Sequence, residues 1–285
     1  MEKEIARLIG DYQDRKISRR GFMQKVAAVS GGTALALTLL PVLDDNTLSA
    51  ATKSSQAAEI VGEFITYQAF TGDMRAFLAK PSGGKKLPAV IVIHENRGLV
   101  PHIQDVTRRM AQEGFLALAP DALSPVGGTP EDVSNTGELF AKLNPDETTK
   151  NFVAAVKYLK SHPDSNGKVG CTGFCWGGAM TNQVAVNCPE LDAAVPYYGR
   201  VPDPADVPKI KAPVMAHFAE NDERINAGIA GFEEALKQNN KEYQIFMYPG
   251  TQHAFNNDSN PARYHADAAR LAWERTVGFF KEKLK

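Results

Sequence analysis

Between Leu87 and Glu95 the chain reads LPAVIVIHE, with no polar residue before His94. A strand with one face in water alternates apolar and polar side chains. An unbroken apolar run belongs instead to a strand covered on both faces. FLALAPD (Phe115–Asp121) repeats the pattern. Between the two, PHIQDVTRRMAQEG places Ile103, Val106 and Met110 at helical spacing, with Gly114 as a stop. Buried strands separated by helices imply a mostly parallel sheet, because each helix carries the chain back to the same end of the sheet.

The rest of the chain keeps this rhythm. EFITYQAF and MRAFLAKP flank Thr71-Gly72-Asp73 and read as a hairpin. A loop rich in Gly, Pro and Ser spans Ser124–Pro130. NPDETTKNFVAAVKYLKSH opens with Asn144 as a cap, Pro145 behind it and acids in the first turn, a helix start. KVGCTGF, LDAAVPYYG, PVMAHFAE and YQIFMYPG supply further strands. GGAMTNQVAVNC and NAGIAGFEEALKQNN supply helices, and the chain closes on a long amphipathic helix predicted from Asn260. The expected fold class is α/β, a mostly parallel central sheet with helices on both faces.

Composition narrows the function. Formal net charge is −1 and no basic stripe appears, which argues against nucleic acid as a partner. Three cysteines cannot staple a chain of 285 residues, and Cys171 and Cys188 read as small buried hydrophobes. The N-terminal segment differs from the rest. KISRRGFMQK puts Arg19 and Arg20 before VAAVSGGTALALTLLPVL, a run too mild for a stable membrane span. That order matches a twin-arginine export signal. Residues 1–50 are therefore expected to be a signal segment and residues 51–285 the catalytic domain, with a periplasmic or otherwise exported product. LSAA (Leu48–Ala51) and SQAAE (Ser55–Glu59) both offer small residues for cleavage. The competing reading is an amphipathic N-terminal helix on a cytoplasmic protein.

VGCTGFCWGG (Val169–Gly178) carries the chemistry. A nucleophile on a tight strand-to-helix turn stands clear of the sheet at the positive end of the helix, and the turn needs small neighbours, here Gly173 and Gly177. The residue at the apex is Cys175, and a thiolate is the reactive form of cysteine. Such a nucleophile needs a base oriented by an acid, and in this architecture they follow in the order nucleophile, acid, base. Asp222 comes just past one strand and His253 just past the next, at the sheet edge where catalytic groups collect. Glu220 and Glu223 stand beside Asp222 as rival acids.

HENRG (His94–Gly98), GFCWGG (Gly173–Gly178) and the pair AENDERI and GTQHAF occur in order over about residues 59–285. In these motifs the chain resembles the dienelactone hydrolase family, a branch of the α/β-hydrolase fold with a cysteine nucleophile. The resemblance implies a Cys175–His253–Asp222 triad acting on a small-molecule ester or lactone, with no cofactor and no metal. It implies that Glu95 hydrogen-bonds the resting thiol and helps form the thiolate when substrate binds. The oxyanion hole should come from the backbone N–H groups of Asn96 and Trp176. The founding member of the family holds a substrate carboxylate with arginines. Here no arginine lies between Arg109 and Arg200, and HAFNNDSN has none after His253. Arg97, Arg200 and Arg224 are left as substitutes, and Trp176, Tyr197 and Tyr198 as aromatic pocket walls. The sequence therefore favours neutral lactones or esters. The other readings are a general carboxylesterase, a thiol redox protein using Cys171 and Cys175, and a non-catalytic binding module; the oligomeric state is left open.

Overall fold

The computed structural model describes residues 59–285 and, before them, Lys25 alone. The Arg19-Arg20 motif and the LSAA site lie outside the described residues.

Strands β1 (Ile60–Ala69) and β2 (Gly72–Pro81) form the expected antiparallel hairpin, closed where Gly72 takes φ +116°. β2 pairs antiparallel with β4 (Leu116–Pro120). From there every pairing is parallel, through β3 (Leu87–Ile93), β5 (Ser165–Phe174), β6 (Ala193–Tyr197), β7 (Val214–Asn221) and β8 (Tyr243–Gln252). The sheet order is β1-β2-β4-β3-β5-β6-β7-β8. The chain thus leaves β3 for β4 on one side and returns to β5 on the other. That reversal opens a crevice at the carboxyl ends of β3 and β5, the usual place for a ligand in an open α/β sheet.

The apolar run of β3 is divided between two cores. Ala89, Ile91 and Ile93 pack with Phe152, Leu159, Val184, Phe232 and Leu236 on one face of the sheet. Val90 and Val92 pack with Ile103, Met110, Phe279 and Phe280 on the other. Helices α3 (Pro145–Ser161), α4 (Trp176–Asn187) and α6 (Ile229–Gln238) therefore cover the first face; α1 (Pro101–Gln112) and α7 (Ala266–Lys283) cover the second. The chain has the α/β-hydrolase fold. Short helices α2 (Thr136–Phe140) and α5 (Glu223–Asn226) decorate the loops after β4 and β7.

Local chemistry sets the helix ends. Asn144 Oδ1 accepts from the N–H groups of Asp146 and Glu147, so α3 starts where the sequence predicts. α7 starts six residues later than predicted. The segment before it folds back instead. Asn260 N–H donates to Asn257 O, His265 N–H donates to Phe255 O, and His265 Nδ1 caps the helix by accepting from Ala268 N–H. The loop after β8 wins those backbone bonds over the helix. α2 was not expected from sequence; Phe140 at its end packs against Trp176 with ring centroids 4.9 Å apart.

Candidate active site

Cys175 stands at the end of β5 as the N-cap of α4, with φ 57° and ψ −113°. A non-glycine residue in such a region costs about 1–3 kcal/mol and persists only where its surroundings hold it. Here Cys175 N–H donates to Tyr197 O at 3.1 Å, and Ala179 N–H donates to Cys175 O at 3.1 Å. The flanking glycines are dictated by contact. A Cβ on Gly173 would lie 2.3 Å from Gly177 O, and one on Gly177 would lie 2.4 Å from Ile93 O. The helix start, the nucleophile strand and the end of β3 thus meet backbone to backbone.

Asp222 follows β7 and His253 follows β8, and their side chains meet, with His253 Nδ1 2.5 Å from Asp222 Oδ2. Of the three candidate acids Asp222 takes the histidine: Glu220 accepts from Gly250 N–H at 2.8 Å, and Glu223 is exposed. Among the described residues Cys175 Sγ makes no hydrogen bond to the His253 ring.

The resemblance put Glu95 in a hydrogen bond with the resting thiol; the structure differs. Glu95 Oε2 accepts from Asn257 Nδ2 at 2.7 Å. Asn257 is buried, and its Oδ1 accepts from Ser259 N–H at 3.0 Å and Ser259 Oγ at 2.6 Å, which leaves the amide nitrogen to donate. An amide N–H is a far better donor than S–H, so the carboxylate turns to Asn257. Its charge still reaches the sulfur. Burial first, then Glu95, push the Cys175 thiol up to about 11, with Asp222 adding to the rise. The Trp176 N–H and the Arg224 guanidinium oppose them.

The other expected site residues divide. Tyr198 is buried with φ 35°, and its ring lies edge-on to His253 at 5.2 Å and to Phe255 at 5.4 Å. Its hydroxyl has no partner among the described residues. Burial, then the charges of Glu95 and Cys175, hold that phenol well above its ordinary value. Tyr197 belongs to the core, its hydroxyl 2.6 Å from Thr276 Oγ1. Trp176 is half-buried and stacks on His94. Arg97 and Arg200 are exposed, and it is Arg224 whose field acts on Cys175. Trp176 N–H opens α4 and has no intrahelical acceptor. Asn96 N–H finds no acceptor among the described residues.

Sequence reasoning missed two residues. Asn257 enters the sequence reading only as a position that lacks an arginine, and His94 only as part of HENRG. Cys171 and Cys188 are buried free thiols, as expected. A groove of about 710 Å³ lined by Phe70, Lys150, Lys157, Gln183 and Asp206 lies along α3 and α4. It contains none of Cys175, Asp222 and His253, and its lysines and aspartates form no nucleophile–base–acid chain.

The field of Glu95 makes a test. Removing a negative charge beside a thiol lowers its pKa, so Glu95→Gln increases the thiolate fraction at any pH below about 11. Alkylation of Cys175 by iodoacetamide at pH 8 should be about threefold or more faster in the variant. The two rates should converge as pH rises past the wild-type value. An unchanged or slower rate at pH 8 would show that Glu95 does not govern the thiol.

The model of the "Dienelactone hydrolase family" matches residues 74–284. A protein of Escherichia coli (strain K12) named "Putative carboxymethylenebutenolidase" is 33% identical over 239 residues, covering 78% of this chain and 88% of its own length. A protein of the same name from Methylorubrum extorquens is 32% identical over 276 residues, covering 90% of this chain and 91% of its own. Among solved structures, a "Putative Dienelactone Hydrolase" from Klebsiella pneumoniae superposes with a TM-score of 0.70 at 29% identity, covering 78% of this chain and 99% of its own. The match takes in the elbow, the acid, the base and the Glu95 loop together, and the chain belongs to the dienelactone hydrolase family.

Proposed function

We propose that this protein hydrolyses lactones or activated esters through Cys175, His253 and Asp222. The observation that carries the reading is the Asp222–His253 pair at the same sheet edge as the strained Cys175 elbow. The substrate carbonyl sits over Cys175 with its oxygen toward the N–H groups of Asn96 and Trp176. The thiol proton leaves, the thiolate attacks the carbonyl carbon, and the oxyanion forms between the two donors, each worth about 3 kcal/mol of barrier. Collapse expels the ring or ester oxygen, which receives from His253 the proton that left the thiol, passed on by Glu95, and a thioester remains on Cys175. His253 then takes a proton from water as the water attacks. The second collapse releases the acid and returns the thiol. Asp222 keeps the imidazole oriented and balances its positive charge.

Glu95 suits the first step. While ionised it disfavours the thiolate; on taking the thiol proton it loses the charge that opposed ionisation. One proton transfer then both activates the sulfur and removes its repulsion.

Cys175→Ala should abolish turnover of p-nitrophenyl acetate while the far-ultraviolet circular dichroism stays unchanged. Cys171→Ala should leave turnover nearly intact. Retention of more than a tenth of the rate in Cys175→Ala would remove that residue from the nucleophile's role.

We also propose that the preferred substrates are neutral. The anion with the largest effect on the sulfur is Glu95, and an uncompensated substrate carboxylate beside it costs several kcal/mol. Arg224 is a single exposed cation set against Glu95 and Asp222. For a carboxylate-bearing lactone and its methyl ester, kcat/KM should favour the ester at least tenfold, equivalent to about 1.4 kcal/mol. A preference for the anion that disappears in Arg224→Ala would reverse this assignment.

Export by the twin-arginine route is proposed on the order of Arg19, Arg20 and the mild apolar run that follows. Replacing both arginines with lysine should trap the protein in the cytoplasm, and the mature wild type should lack residues up to about Ala51. Wild-type protein found in the cytoplasm with Met1 attached would end that reading.

A further inference from the structure

His94 takes no part in the steps above, yet it is fully buried at the mouth of the site. It follows β3 directly and precedes Glu95. Its two ring nitrogens have different partners. Nε2 lies 3.1 Å from Ala122 N, and a backbone N–H can only donate, so Nε2 must carry the lone pair. The ring proton is then on Nδ1, and Nδ1–H donates to Glu95 O at 2.6 Å. The tautomer is thereby dictated by the loop after β4.

The accepting carbonyl belongs to the Glu95–Asn96 peptide, which is trans and planar. In such a unit C=O and N–H point in opposite directions, so holding Glu95 O aims Asn96 N–H. The next carbonyl is held as well: Thr136 Oγ1 donates to Asn96 O at 3.1 Å. The flat of the same imidazole lies on the Trp176 indole, with centroids 5.5 Å apart and planes 12° apart. Trp176 carries the second expected donor, a backbone N–H that faces the Cys175 sulfur. Phe140 closes on both rings edge-on, at 5.9 Å from His94 and 4.9 Å from Trp176.

We infer that His94 is a positioning residue: as a neutral imidazole protonated on Nδ1, it aims the Asn96 N–H and braces Trp176, so that one ring sets both oxyanion donors. Burial, the dominant influence on the ring, favours the neutral form. The inference rests on the acyl-transfer reading above, and it adds a group that touches neither substrate nor sulfur.

The test separates oxyanion formation from thiolate reactivity. Iodoacetamide alkylates sulfur by direct displacement and forms no oxyanion; p-nitrophenyl acetate needs one. His94→Phe keeps a flat ring for Trp176 and removes both hydrogen bonds. It should lower kcat for the ester about 10²-fold, the effect of losing one oxyanion donor. KM should stay within threefold, and iodoacetamide alkylation of Cys175 within twofold. His94→Asn, which returns an N–H near the Nδ1 position, should recover about tenfold of the lost kcat. Full ester turnover in His94→Phe, or a fall in alkylation that matches the fall in acylation, would overturn the assignment. Nitrogen-15 NMR of the wild-type enzyme gives a readout that needs no variant to fold. His94 should be Nδ1-protonated and neutral from pH 6 to 8, and the opposite tautomer would overturn it equally. Failure of the acyl-transfer reading is seen separately, as wild-type ester turnover that survives complete alkylation of Cys175.

Discussion

The site depends on how closely backbone can approach backbone at the start of α4. Gly173 and Gly177 leave no room for a Cβ, and Gly199 completes the crossing, since a Cβ there would lie 2.2 Å from Ala179 N. This contact draws the helix onto the sheet at the reversal between β3 and β5. It forces Cys175 into its strained conformation, and it places the first N–H of the helix beside the sulfur. It also sets the end of β3 against Gly177, so the loop bearing Glu95 and Asn96 meets the elbow through backbone contact, with the His94–Trp176 stack laid over it. The catalytic edge is a product of packing density, and its polar groups are arranged on top of that.

Those polar groups oppose one another by design of the fold. A helix N-terminus and Arg224 favour a thiolate, whereas burial, Glu95 and Asp222 disfavour it. The second set prevails at rest. Glu95 itself is held by a neutral amide, so its charge is oriented without being cancelled. An arginine in place of Asn257 would neutralise the carboxylate and shift the thiol toward ionisation. The charge that faces the sulfur is therefore held by one hydrogen bond between the loops after β3 and β8.

Much of this was legible in the sequence because the chemistry is local. Unbroken apolar runs announced a sheet covered on both faces, and β3 does divide its side chains between two cores. Gly173 and Gly177 around Cys175 announced the elbow, and the Asn144 cap announced α3. The positions of Asp222 and His253 followed from strand ends. The rest depends on contacts distant in the chain. Asn257 meets Glu95 across 162 residues, and nothing near either marks the pairing. His94 meets Ala122 across 28 residues, so its tautomer could not be read from HENRG. α7 starts later than the sequence predicts because Asn257 O and Phe255 O capture the N–H groups of Asn260 and His265.

The raised thiol has a consequence for endurance. Peroxide and disulfides attack sulfur as the thiolate, and the first oxidation product leads on to irreversible acids. With its value pushed up to about 11, Cys175 is held as the thiol at pH 7. Low-pKa catalytic cysteines are exposed to oxidative loss during every idle moment. Here the burial and charge that hold the sulfur as a thiol also slow its oxidation, so the idle protein is shielded by the same groups that oppose its ionisation.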